Sequence, residues 1–250
     1  TADVPVTPAG TAVSPAFSPS APGTYRVIAT YGPNPNFTKV DTVCDAAGTT
    51  VDVTQAVPTV TTTFSPTTIA YGDTAALSTT LTGPATVAAP TGDVTFIIYG
   101  AGDTLCDNVL RTTTSTLNNG TAVAPDFTPP AASTFKVVIS YDGSADPNYA
   151  SVTTACGSAQ IVVSKGDPTV TASADPSPVT LAGSTTPKAI VTPPTGTNTP
   201  TGDVTFNVFG PGDTTCTTAV YTETANLGPV GSGVGPSGPS FTPAAPGVYR

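Results

Sequence analysis

Cys44, Cys106, Cys156 and Cys216 are the residues of this chain best suited to covalent chemistry, and their spacing limits what they can do. No two stand as C-x-x-C and the 250 residues contain no His, which removes the usual zinc, haem and thioredoxin-like readings. Widely spaced cysteines in an acidic, Thr-rich chain predict disulfides, and therefore an oxidising, extracellular or cell-surface setting. No basic residue stands within several positions of Cys106 or Cys156 to stabilise a thiolate, so a structural staple is expected there and not a redox switch.

The remaining candidates for chemistry are sparse. Without His, neither a Ser-His-Asp nor a Cys-His site can be built. A pair of carboxylates could serve glycoside chemistry, but Asp93 and Asp203 follow Gly at equivalent places and read as strand-entry residues. The chain is therefore expected not to be an enzyme, and no cofactor is expected. Asp142, Asp146 and Asn148, in Asp-Gly-Ser-Ala-Asp-Pro-Asn, have the oxygen spacing of a Ca²⁺ loop. The corresponding loop Gly32-Pro33-Asn34-Pro35-Asn36 has no carboxylate, so turn chemistry is the expectation and no metal site is assigned. Lys136 could suggest an isopeptide link, but its counterparts are Arg26 and Arg250, and a basic residue on an outer face is expected. Two N-x-T sequons, at Asn36 and Asn119, fall in loops. The second also reads as a hairpin turn.

The positions of these residues follow from an internal repeat. Pro-Thr-Gly-Asp-Val-Thr-Phe occurs at Pro90–Phe96 and again at Pro200–Phe206, each followed by an aromatic-Gly pair and by Gly-Asp-Thr-x-Cys ending at Cys106 and Cys216. Tyr25–Tyr31 matches Phe135–Tyr141, and after a two-residue insertion Cys44 answers Cys156. Residues 1–56 read as the C-terminal half of one repeat, 57–166 as a complete repeat and 167–250 as the N-terminal three-quarters of a third. Seven strands are expected in the complete repeat: Thr59–Phe64, Thr74–Leu81, Asp93–Tyr99, Val109–Thr116, Thr121–Phe127, Thr134–Tyr141 and Gln160–Ser164. The fourth is mostly polar and reads as an edge strand. In the third repeat four extra residues sit in the Gly/Pro-rich loop Gly228–Pro239.

Composition agrees with an all-β chain. Thr and Val favour a pleated, half-buried surface, whereas helix formers are scarce and Glu223 is the single Glu. A net charge of −9 with only seven Lys and Arg excludes a nucleic-acid partner. No apolar run approaches a membrane span and no signal peptide is present. The absence of Met predicts that the chain is processed or is a window cut from something longer.

These phrases, with Phe-Thr-Pro-x-Ala and Tyr-Asp-Gly-Ser-Ala-Asp-Pro-Asn, resemble the tandem Ig-like repeats of secreted or surface-anchored bacterial proteins, actinobacterial ones especially. The resemblance implies tandem immunoglobulin-like β-sandwiches of about 110 residues. It also implies a structural role in an extracellular fibre, stalk, filament or adhesin shaft. A module binding a host or environmental glycan or protein is the alternative. The expected partners are neighbouring Ig-like repeats or other copies of the chain. Cys106 and Cys156 are expected to pair within the complete repeat. Cys44 and Cys216 then need partners outside the segment or in a neighbouring copy. Phe17–Arg26 and Phe241–Arg250 are the same element twice over, and this overlap favours the longer array above end-to-end polymerisation.

Overall fold

The computed structural model describes residues 3–227 and 238–250. The insertion expected in the loop Gly228–Pro239 lies almost wholly outside the described residues. The chain is all-β, its strands arranged in several mostly antiparallel sheets, with no helix among the described residues. In chain order the strands are β1 (Gly23–Arg26), β2 (Thr30–Tyr31), β3 (Val40–Asp41), β4 (Thr50–Val53), β5 (Thr59–Ser65) and β6 (Thr68–Ala70). There follow β7 (Ala75–Thr82), β8 (Asp93–Tyr99), β9 (Val109–Thr116), β10 (Thr121–Phe127), β11 (Thr134–Tyr141) and β12 (Val152–Thr153). The last are β13 (Ala159–Ser164), β14 (Thr169–Asp175), β15 (Thr186–Thr192), β16 (Asp203–Phe209) and β17 (Ala219–Asn226).

Two compact units result. One comprises Thr1–Ser65, Ala76–Asp126 and Phe135–Gln160, and the other Pro66–Ala75, Phe127–Thr134 and Ile161–Arg250. In the first, period-two alternation sorts the side chains. Leu77, Thr79 and Leu81 of β7 face inward while Ser78 and Thr80 between them are more exposed. Phe64, Val94, Phe96, Ile98, Phe135, Val137, Ile139 and Tyr141 belong to the same buried set. Thr79 is a polar member of this set, and its hydroxyl is satisfied by Thr62 Oγ1 at 2.9 Å and by donation to the Thr61 carbonyl at 3.2 Å.

One sheet has the order β10-β7-β5 and the other β6-β13-β11-β8-β9, with β12 also paired to β11. The polar strand β9 lies at the edge, where alternate residues can face water without cost. The structure adds β6 and β12 to the seven strands read from sequence. Pro66 lacks an amide donor and ends β5, and the chain resumes as β6, which runs parallel to β13 in the other sheet. In the second unit β14 pairs β15, and β16 pairs β17. The β16–β17 register runs from Asp203 opposite Asn226 to Phe209 opposite Ala219, with a bulge after Val208. The β8–β9 register, from Asp93 opposite Thr116 to Tyr99 opposite Val109 with a bulge after Ile98, is the same one 110 residues earlier.

Phe96 is fully buried and Phe37 about two-thirds exposed. Phe96→Ala is expected to lower unfolding free energy by about 3–5 kcal/mol in urea titration, whereas Phe37→Ala stays within about 0.5 kcal/mol.

Candidate functional site: the cysteine clamp and the loop pole

The structure brings Cys106 and Cys156 together in a disulfide, with a Cα–Cα separation of 5.9 Å. Cys106 follows β8 and Cys156 precedes β13, and these strands flank β11 on its two sides. The bridge therefore spans β11, and Lys136 of that strand donates from Nζ to the Thr104 carbonyl at 3.0 Å, inside the bridging loop. Lys136, on the outward side of β11 between buried Phe135 and Val137, thus also serves the clamp. Its counterpart Arg26 pairs with Asp45 instead.

Asp103 shapes the loop, a role that the repeated Gly-Asp-Thr-x-Cys phrase carried but that reading by residue type missed. Its Oδ1 accepts the amides of Leu105 and Cys106 at 3.0 and 2.9 Å, and Oδ2 accepts that of Asn108 at 2.7 Å. These bonds hold Cys106 at φ 59°, in the left-handed region that non-glycine residues rarely occupy. The Asn108 amide is the largest cause holding the Asp103 carboxyl below its ordinary pKa of 3.8, with the Leu105, Cys106 and Asp107 amides adding to it against desolvation. Asp213 is built alike. It accepts the amides of Thr215, Thr217 and Thr218 at 3.1, 2.9 and 2.7 Å, its pKa is lowered chiefly by the last, and Cys216 sits at φ 55°. Cys216 and Cys44 are exposed free thiols.

The other end of β11 leads into the loop 142–150. Asp146 is buried; its Oδ2 accepts the Thr91 amide and hydroxyl, both at 3.0 Å, and its Oδ1 the Asn148 amide at 3.0 Å. Asp142 takes the Ser144 amide and hydroxyl, both at 2.9 Å. The carboxylates of the acidic motif thus stabilise turns, and the inward side chain of Asp146 ties its loop to the entry of β8. Tyr141 OH donates to the Thr91 carbonyl at 3.1 Å, and Tyr149 OH to that of Ala88 at 2.7 Å. Burial raises the pKa of both phenols, with Asp146 contributing. Asp93 and Asp203 accept from their cross-strand partners Thr116 and Asn226, at 2.6 and 2.7 Å. At the second sequon, Asn119 and Gly120 both have positive φ, in a tight turn bridged between Asn118 and Thr121.

The connectors are bonded into the same framework. Ala56 donates its amide to the Asn148 carbonyl and accepts from that of Ala150, both at 2.9 Å, and Gln55 Nε2 reaches the Pro147 carbonyl at 3.1 Å. Downstream, the Tyr71 amide meets the Ser164 carbonyl at 2.9 Å, and the Asn198 amide meets Tyr71 OH at 3.3 Å.

No family model matches the chain, and no curated protein matches it. One solved structure that it resembles is FdeC, described as a novel, broadly conserved Escherichia coli adhesin eliciting protection against urinary tract infections. The likeness has 13% identity, covers 92% of this chain and 79% of that one, and has a TM-score of 0.29. At that score it carries no argument about fold or role.

Removing the bridge by Cys156→Ser is expected to lower stability by about 4 kcal/mol on the chain-entropy scale for a loop of this length, read by denaturant unfolding. Acid supplies a second check. Because the folded pKa of Asp103 lies below 3.8, its contribution is complete above that value and is lost as pH falls through the folded pKa. Asp103→Asn should flatten the acid limb of the stability curve and leave its slope near neutral pH unchanged.

Proposed function

We propose that this chain is a structural segment of an extracellular fibre, stalk or filament built from disulfide-stapled Ig-like repeats, of the kind that carries a surface adhesin. Its work is mechanical: it holds extension and does not turn over a substrate. The observation that carries this role is the fastening of the connectors. Ala56 is bonded on both its amide and its carbonyl to the loop 142–150, and Ser164 is bonded to Tyr71. A connector bonded to the sandwich beside it has few free torsions and behaves as a joint of fixed geometry, unlike a flexible linker. The disulfide adds a covalent limit to extension within residues 106–156 and supports an oxidising, extracellular setting. The bacterial repeat resemblance of the sequence points the same way.

Single-molecule stretching of the 250-residue chain tests the role. Under oxidising conditions, unfolding of the segment 57–166 should release about 170 Å less contour than its residue count allows, because the bridge withholds about 50 residues at roughly 3.3–3.6 Å each. Reductant should restore that length. A chain that extends without a discrete unfolding force, or that binds a glycan array or host cells specifically and saturably, would assign it to ligand binding instead.

A further inference from the structure

The turn that follows β6 and the loop between β15 and β16 meet at two glycines, Gly72 and Gly166. All of the residues concerned belong to the second compact unit. Asp73 closes the turn: its amide donates to the Ala70 carbonyl at 3.0 Å, and its Oδ2 accepts the Ala70 amide at 3.2 Å. The loop carries a turn of its own, in which the Thr197 amide and hydroxyl both donate to the Pro194 carbonyl, at 3.3 and 2.8 Å. The same turn stands 110 residues earlier, where the Val87 amide donates to the Pro84 carbonyl at 3.0 Å, so it belongs to the repeat and is not created by the contact. Two preformed turns therefore face each other, and little chain entropy is lost when they touch.

Their approach is closer than a side chain permits. A Cβ on Gly72 would stand 2.7 Å from Thr197 Cγ2 and 3.3 Å from the Thr195 carbonyl oxygen. One on Gly166, between β13 and β14, would stand 2.7 Å from the Tyr71 carbonyl oxygen and 3.1 Å from Pro194 Cγ. The near atoms are not free to retreat. The Thr197 side chain is held by its bond to Pro194, and Tyr71 by donation of its amide to the Ser164 carbonyl at 2.9 Å. Gly72 also lies at φ 110°, a backbone that only glycine adopts readily. Gly166 lies outside that region, so its missing side chain serves close approach alone. Across the contact the Asn198 amide donates to Tyr71 OH at 3.3 Å. Beside it is a cavity of about 420 Å³ lined by Pro130, Ala131, Pro168, Pro193 and Pro200, among others, so the loop is held at the glycines and not by packing on every side.

We propose that Tyr71, Gly72 and Gly166 form a seat for the turn Pro194-Thr195-Gly196-Thr197-Asn198 and so dock one repeat on the next. The seat reads its partner at three points. The proline ring lies against Gly166, the threonine methyl against Gly72, and the asparagine amide reaches the phenol of Tyr71. A side chain at either glycine, or loss of the phenol oxygen, removes one of the three. This inference builds on the fibre role proposed above and deepens it. A connector of a few residues resists bending better when the segments it joins also touch beside it, and the seat supplies that second attachment.

The test is amide hydrogen exchange, read residue by residue by NMR on the 250-residue chain. Gly166→Ala is expected to speed exchange at Asn198 by at least tenfold while β14 to β17 keep their protection. Tyr71→Phe, which keeps the ring and removes the acceptor, should also speed it, and Gly212→Ala, where a Cβ meets nothing within 4 Å, should leave it unchanged. A second reading comes from nitroxides on Cys216 and on Val162→Cys, in a Cys44→Ser background. Their distance distribution by pulsed dipolar spectroscopy should be single in the parent and broaden in Gly166→Ala. Exchange at Asn198 indifferent to Gly166→Ala or to Tyr71→Phe, an equal effect from Gly212→Ala, protection lost throughout β14 to β17, or a distribution that Gly166→Ala leaves unaltered would each overturn the seat. Stretching of the disulfide-bridged segment does not depend on the seat, so the fibre role and the seat fail separately.

Discussion

Pairing of β8 with β11 is the interaction on which the rest depends. Backbone amides and carbonyls removed from water must find partners, and a central strand finds them only with a neighbour on each edge. β8 and β11 supply each other's inner edges, and their inward residues Val94, Phe96, Ile98, Val137, Ile139 and Tyr141 are among the most deeply buried apolar side chains of the first unit. Hydrogen bonding and apolar burial thus depend on the same strand pair. Where that pair is made, a core forms.

The clamp and the loop pole guard the two ends of this pair. At one end the Cys106–Cys156 bridge crosses β11, with Lys136 and Asp103 fixing the loop that carries it. At the other, Asp146, Tyr141 and Tyr149 fasten the loop 142–150 to residues 88–91, ahead of β8. Few charges are needed for either. The described ion pairs are exposed and contribute little. Hydroxyl, amide and carboxylate bonds to the backbone do the holding, which is why a chain so poor in Lys, Arg and Glu can be well specified. Threonine fits this economy, since it has a β-branched stem for the pleat and a hydroxyl for cross-strand pairs such as Thr62–Thr79 and Thr95–Thr114.

Much of this was legible in the sequence. The alternation of Val94, Phe96 and Ile98 located β8 to the residue, and the recurrence of the phrase ending in Phe96 and Phe206 pointed to its counterpart β16. The polar stripe of β9 marked it as an edge, because period-two patterns and turn residues are local properties of the chain. The roles of Asp103 and Asp146 were not legible. A carboxylate in a turn reads alike whether it faces water, a cation or three backbone amides. Only the folded loop decides which, as it does for Asp146, whose partner Thr91 lies far away in sequence. β6 and β12 escaped for a related reason: runs of two or three residues become strands only when a longer neighbour is there to pair with them. Sequence alone therefore determined the repeat, its β-strands and the spacing of its cysteines, since these follow from side-chain periodicity. Tertiary structure decided which strand edges pair with which, because a strand's edges are satisfied by segments distant in the chain.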